Sequence, residues 1–217
     1  CDWSSDVCSS DLETGTIVPL GSWALLDALT QLRHWIDSGA CTASTSMSVN
    51  VSARQLHDPT FVSVVTDALS RSGIPADQLW LEVTESLMIT EPAQALTALR
   101  QLNSLGVRIA IDDFGTGYSS LSLLQRFPIQ RIKIDRAFVS ALTSDGNSHS
   151  IVRTIVAMAE SLGADIVAEG VETVEQLDFL AGLDCRKAQG YLISHPVDSD
   201  AVPATVAALQ ETPRWRR

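Results

Sequence analysis

Basic residues are scarce in this 217-residue chain: 15 Lys and Arg stand against 26 Asp and Glu, a formal net charge of -11. Non-specific binding to nucleic acid or to an anionic membrane needs a basic face, so both are set aside, and no nucleic acid polymer is expected as a partner. Cysteine is equally thin. Cys1, Cys8, Cys41 and Cys185 are scattered with no CxxC pair, which argues against a zinc site and a disulfide framework. No apolar run reaches the length of a membrane span, so the chain reads as soluble and cytoplasmic. No GxGxxG follows a strand-like run, which speaks against a dinucleotide fold. Asp113-Phe114-Gly115 spells a kinase triplet, but neither an HRD loop nor a glycine-rich phosphate loop accompanies it. What the chain does have is 45% hydrophobic residues, enough to bury a sizeable core.

The first twelve residues, CDWSSDVCSSDL, share nothing with the rest of the chain. They are rich in Ser, Asp and Cys and lack periodicity, and they have neither the charged start nor the apolar centre of a signal peptide. They resemble a translated sequencing adapter. The expectation is an artefactual, unstructured leader over 1–12, a domain over 13–212 and a basic tail over 213–217. On that reading the natural protein is truncated near Glu13.

From Ser22, a candidate N-cap, apolar residues recur at helical spacing through Ile36 to Gly39. Strand-like runs then alternate with helical ones. The strands are centred on Val49, Leu81, Ile111, Lys133, Val167 and the KAQGYLI segment; the intervening helices stop at Gly73, Gly106, Gly163 and Gly182. Such alternation predicts βαβ units and a parallel sheet. About six strands are present, where a closed (β/α)₈ barrel of about 250 residues has eight. The fold class expected is therefore α/β: a TIM-like barrel, incomplete, lacking its first two strands. An open doubly wound sheet is the alternative.

The segment VRIAIDDFGTGYSS (Val107–Ser120) anchors the functional reading. A buried β-branched run ends in two adjacent carboxylates, Asp112 and Asp113, followed by a glycine- and hydroxyl-rich loop. Near the carboxyl ends of the other strands stand Asn50, Glu82, Lys133, Glu169 and Gln189. A lone polar group there is often a satisfied core residue or a helix cap. Six in succession at the end where barrels build active sites point to chemistry. Asn and carboxylate oxygens are hard donors suited to Mg²⁺ or Mn²⁺. Two such ions clamp the attacking and leaving oxygens of a phosphoryl displacement. A lysine adds fixed positive charge, and a further carboxylate can take a proton. The pattern predicts metal-dependent phosphate-ester chemistry.

Six motifs in one order sharpen this reading: NVSARQ (Asn50–Gln55), LEVTES (Leu81–Ser86), IDDFGTGYSSL (Ile111–Leu121), IKID (Ile132–Asp135), VAEGVET (Val167–Thr173) and AQGYL (Ala188–Leu192). Together they resemble the EAL-domain phosphodiesterases, which hydrolyse the bacterial second messenger cyclic-di-GMP to linear pGpG. The resemblance implies two Mg²⁺ or Mn²⁺ ions held by Asn50, Glu82, Asp112 and Asp113. It implies that Lys133 contacts the catalytic water and that Glu169 is a general base or further ligand, with Glu172 as a supporting acid. Gln189 is implied to line the site. Glu85 is similar to the acid that anchors the loop carrying Gly115, Thr116 and Gly117, which in the family links the site to a homodimer interface. Upstream sensor or diguanylate cyclase-type domains are implied for the intact parent.

Two departures matter. The family is named for a Glu-Xaa-Leu motif on an early strand whose glutamate binds metal, and no early strand of this sequence carries it. ISHP (Ile193–Pro196) places His195 where the family usually has arginine. The 217-residue chain alone is accordingly expected to be inactive or nearly so. The alternative function is a degenerate EAL domain acting as a non-catalytic cyclic-di-GMP receptor or protein-interaction module.

Overall fold

A computed structural model describes residues 16–90, 92–115, 121–143 and 146–211. The expected leader over 1–12 and tail over 213–217 lie outside the described residues, as do Thr116 and Gly117. The chain opens with α1 (Ile17–Asp37), then β1 (Met47–Asn50), α2 (Ala53–His57), α3 (Phe61–Ser72), β2 (Leu79–Thr84), α4 (Glu85–Thr90) and α5 (Pro92–Ser104). It continues with β3 (Arg108–Phe114), α6 (Leu121–Leu124), β4 (Arg131–Ile134), α7 (Arg136–Ser140), α8 (Gly146–Leu162), β5 (Asp165–Ala168), α9 (Val174–Ala181) and α10 (Val202–Glu211). Among the described residues no helix is long and apolar enough to cross a membrane.

All strand pairs are parallel, in the spatial order β1-β2-β3-β4-β5. Each crossover carries at least one helix, as parallel pairing demands. One sheet face presents Leu79, Leu81, Val83, Ile109, Ile111, Ile132 and Ile134, all buried in the main apolar cluster. Burying each such side chain stabilises the fold by roughly 1.5–3 kcal/mol before entropy is counted. Period-2 alternation sends the intervening residues to the opposite face, which holds the polar set described below.

Two expectations are corrected. The sixth strand, KAQGYLI, is reduced to a single bridge between Ala168 and Ala188. Hydrogen bonds still link Gln189 N–H to Ala168 O (2.9 Å), Val171 N–H to Gln189 O (3.0 Å) and Leu192 N–H to Val171 O (3.0 Å). At Gly190 the two segments come so close that a Cβ would sit 2.3 Å from Val171 backbone atoms, and the ladder loses its regularity. Ser22 is not an N-cap. It lies inside α1, its hydroxyl donating to Val18 O at 2.9 Å, because Pro19 falls in the first turn, where a missing N–H costs nothing.

Candidate active site

Register gathers the site. Asn50 pairs with Glu82, Glu82 with Ala110, Ala110 with Arg131, and Lys133 with Val167. Residues directly opposite share a face, and so do residues two apart on one strand. Asn50, Glu82, Asp112, Lys133 and Glu169 therefore project from one face at the carboxyl ends of five strands. Beneath them on the same face lie Trp80, Arg108, Arg131 and Asp165. The Arg131 guanidinium carbon stands 3.5 Å from the Trp80 ring centroid and that of Arg108 5.3 Å from it.

A β-bulge makes the paired aspartates usable. Ile111 aligns with Ile132, but the next aligned pair is Phe114 with Ile134, so Asp112 and Asp113 together oppose Lys133. Asp113 takes the left-handed conformation at φ +52. In a regular strand the two side chains would point to opposite faces; an extra residue re-aims one of them. As a result, carboxylate oxygens of Asp112, Asp113 and Glu169 lie within 4.8 Å of one another.

Lys133 sits at the centre and is buried. Its Nζ lies 2.5 Å from Glu82 Oε2, 2.6 Å from Glu169 Oε1 and 2.8 Å from Asp112 Oδ1. An ammonium has three N–H donors, and three carboxylates surround this one. Burial disfavours its charge, but the contacts with Asp112, Glu169 and Glu82 outweigh burial and hold the pKa above the ordinary lysine value. Asp112 Oδ1 is buried and out of hydrogen-bond alignment despite its short distance to Nζ.

Two of the acids are perturbed, and burial is the leading cause in both. Burial raises the Glu169 pKa, with Asp112 and Glu82 adding to the rise and Lys133 opposing it. Burial also raises Asp113, helped by the Asp112 charge and by a hydrogen bond with Asp135. Asp135 is a site neighbour that sequence reasoning misses. Its carboxylate also caps α7 by accepting the Ala137 N–H at 2.6 Å. The IKID motif contains it, but nothing in its spacing distinguishes it from a plain N-cap.

The remaining expected residues take supporting places. Gln189 Nε2 donates to Glu169 Oε1 at 2.6 Å. Glu85, buried at the start of α4, accepts the Gly115 N–H at 3.1 Å, tying the start of that helix to the residue that follows β3. Gly115 has φ +102, and a Cβ there would meet Phe138 at 2.8 Å. Asn50 is exposed beside Glu82, just ahead of a capping box in which Ser52 and Gln55 satisfy each other's backbone N–H groups. A second capping box, Thr173 with Gln176, fixes the chain after Glu172, whose own N–H donates to Gln176 Oε1 at 2.7 Å. His195 stacks on Tyr191 with ring centroids 4.2 Å apart.

The EAL domain family matches residues 5–196, most of the chain. This chain belongs to the EAL domain family. It is 44% identical over 195 residues to the bifunctional diguanylate cyclase/cyclic di-GMP phosphodiesterase MucR of Pseudomonas aeruginosa, covering 90% of this chain and 28% of that protein. It is 40% identical over 196 residues to the cyclic di-GMP phosphodiesterase PdeR of Escherichia coli, covering 90% and 29%. The chain thus spans less than a third of the length of these curated relatives. Among solved structures, the MucR phosphodiesterase in complex with c-di-GMP aligns with a TM-score of 0.86 at 42% identity, covering 90% of this chain and 78% of that one. The EAL domain of Mycobacterium smegmatis DcpA aligns with a TM-score of 0.82 at 38% identity, covering 87% and 84%. The parallel sheet of this EAL domain is thus an incomplete form of the TIM-barrel-like fold of its relatives.

The donor set suits a hard divalent cation. It consists of carboxylate and amide oxygens with no sulfur or imidazole among them, and the misaligned Asp112 Oδ1 has lone-pair capacity to spare.

Proposed function

We propose that this EAL domain binds cyclic-di-GMP and hydrolyses one phosphodiester bond to give linear pGpG. The observation that carries the proposal is the Lys133 cluster at the carboxyl edge of the sheet, with Asp112, Asp113 and Glu169 oxygens within 4.8 Å of one another. The chain's similarity to proteins named as cyclic di-GMP phosphodiesterases supports the choice of substrate.

Asn50, Glu82, Asp112 and Asp113 would hold two Mg²⁺ or Mn²⁺ ions. When bound, these ions supply Lewis acidity to the phosphodiester and lower the pKa of the attacking water. The chain's own residues do the rest. Lys133 offsets the mutual repulsion of Glu82, Asp112 and Glu169, so that their oxygens are positioned before substrate arrives. Reaching a water or a phosphate oxygen requires Lys133 to exchange one of these three partners. Glu169, its pKa raised by burial, takes the proton of the water, and Gln189 fixes the Oε1 atom of that carboxylate. Glu85 holds the backbone at Gly115, immediately before the segment 116–120 through which the domain would pair with a second copy.

The test is a single-turnover assay with the chain in excess over cyclic-di-GMP in Mn²⁺, its products separated by anion-exchange chromatography. Single turnover is chosen because the early-strand glutamate is absent from the donors above, so the rate is expected to be low. Formation of pGpG that Glu169→Gln abolishes is the expected result. Tight binding with no product would replace hydrolysis by a receptor function.

A further inference from the structure

A cavity of about 390 Å³ opens beside Glu169, lined by Arg136, Glu172, Gln189, Tyr191 and His195 among others. Arg136 is seated in it by three neighbours. Its Nη2 lies 2.6 Å from Glu172 Oε1. Its aliphatic stem lies flat on Gly170, which sits at φ +64; a Cβ there would fall 2.2 Å from Arg136 Cγ and 2.8 Å from Cδ. Its guanidinium carbon stands 5.8 Å from the Tyr191 ring centroid.

The electrostatics of the cavity call for this residue. The substrate of the proposed reaction is a phosphodiester anion, yet the walls carry Glu169 and Glu172. Lys133 is buried among three carboxylates, so its charge is spent before it reaches the mouth. Arg136 is the one permanently cationic side chain among the described residues lining the cavity, and its side chain is 60% exposed. A guanidinium has five donors in a planar fork that matches two phosphate oxygens, and the Glu172 pair engages one edge of it.

Resting on the phosphodiesterase reading, we propose that Arg136 grips a phosphate of the dinucleotide from the cavity side. Glu172 and Gly170 are its positioning residues: one orients the fork, and the other clears the space its stem occupies.

The test uses isothermal titration of cyclic-di-GMP into the chain in Mn²⁺, with Glu169→Gln present throughout to prevent turnover. Adding Arg136→Gln is expected to weaken binding about tenfold to a hundredfold, the loss typical of one charge-assisted contact. Arg136→Lys, which keeps the charge and loses the fork, should fall between. Binding should also become less sensitive to salt in Arg136→Gln, a change that loss of packing does not produce. Unchanged affinity, or an affinity loss with an unchanged salt dependence, overturns the assignment while leaving the phosphodiesterase reading intact. Equal losses in the Gln and Lys variants with a lowered melting temperature assign Arg136 to structure instead. No binding by the Glu169→Gln parent itself overturns the substrate and this assignment together.

Discussion

Lys133 and Glu82 meet across the sheet from β4 to β2, Nζ to Oε2 at 2.5 Å, with β3 and its Asp112 lying between them. The contact spans 51 residues of sequence and joins two nearly buried charges. Removing one partner of a buried pair leaves the other uncompensated.

Lys133→Met is therefore expected to destabilise the domain by about 3–5 kcal/mol in urea unfolding at neutral pH. A folded-state lysine pKa raised above 10.5 means its stabilisation is complete below that value and lost only as pH rises through the higher folded value. At neutral pH, then, the full loss is seen. Millimolar Mn²⁺ should restore more stability to the variant than to the parent, because the same carboxylates gain a substitute cation. Equal Mn²⁺ effects on both proteins would refute the shared site.

Glu169 works in the opposite sense. Its raised pKa means that, ionised, it opposes folding at neutral pH, and that this opposition fades as pH falls through the raised value towards 4.5. Glu169→Gln should unfold at an equal or higher urea midpoint than the parent at pH 7.5, and this advantage should shrink by pH 5. A variant less stable than the parent at pH 7.5 would contradict the burial argument.

Gly115→Ala places a Cβ 2.8 Å from Phe138 at φ +102, and the expected cost is about 1–3 kcal/mol. In a Phe138→Ala background the shortest contact is removed, leaving the backbone part and the 3.2 Å approach to Ile155 Cδ1, so the second cost should be smaller. Identical costs in the two backgrounds would show that Phe138 contributes nothing to the strain.

Trp80 is buried under the Arg131 guanidinium, and Trp80→Ala is expected to cost about 3–5 kcal/mol. A double-mutant cycle with Arg131→Met should return a coupling of about 1–2 kcal/mol, read from urea midpoints. Zero coupling would reduce the stack to simple packing.

Much of this is legible in the sequence because β-branched runs and glycine stops announce parallel strands and the ends of helices. The runs around Ile111 and Lys133 form β3 and β4, and Gly73 ends α3 in the left-handed conformation. Glu82, Lys133 and Glu169, read from their strand ends, do converge. What the sequence hides are two-body effects. The Asp113–Asp135 hydrogen bond depends on a bulge that no propensity encodes, and Arg131 over Trp80 depends on register. The single bridge at Ala188 reflects how closely Gly190 approaches Val171, a contact no local pattern announces.

The polar face of the sheet carries its charges in two layers along the strand direction, the one at the carboxyl ends being the more acidic. Arg108, Arg131 and Asp165 lie towards the amino ends, with Glu82, Asp112, Asp113 and Glu169 around Lys133 towards the carboxyl ends. Such an ordering gives the face a lengthwise electric gradient, independent of the net charge of the chain. A divalent cation approaching from the carboxyl edge would meet the acidic layer first; in the layer beneath, Arg131 lies 3.7 Å from Asp165 and Arg108 3.7 Å from Asp77, so the arginine charges there are partnered. The surplus of carboxylates over the single lysine in the upper layer would confine the attraction for such an ion to the carboxyl edge of the sheet.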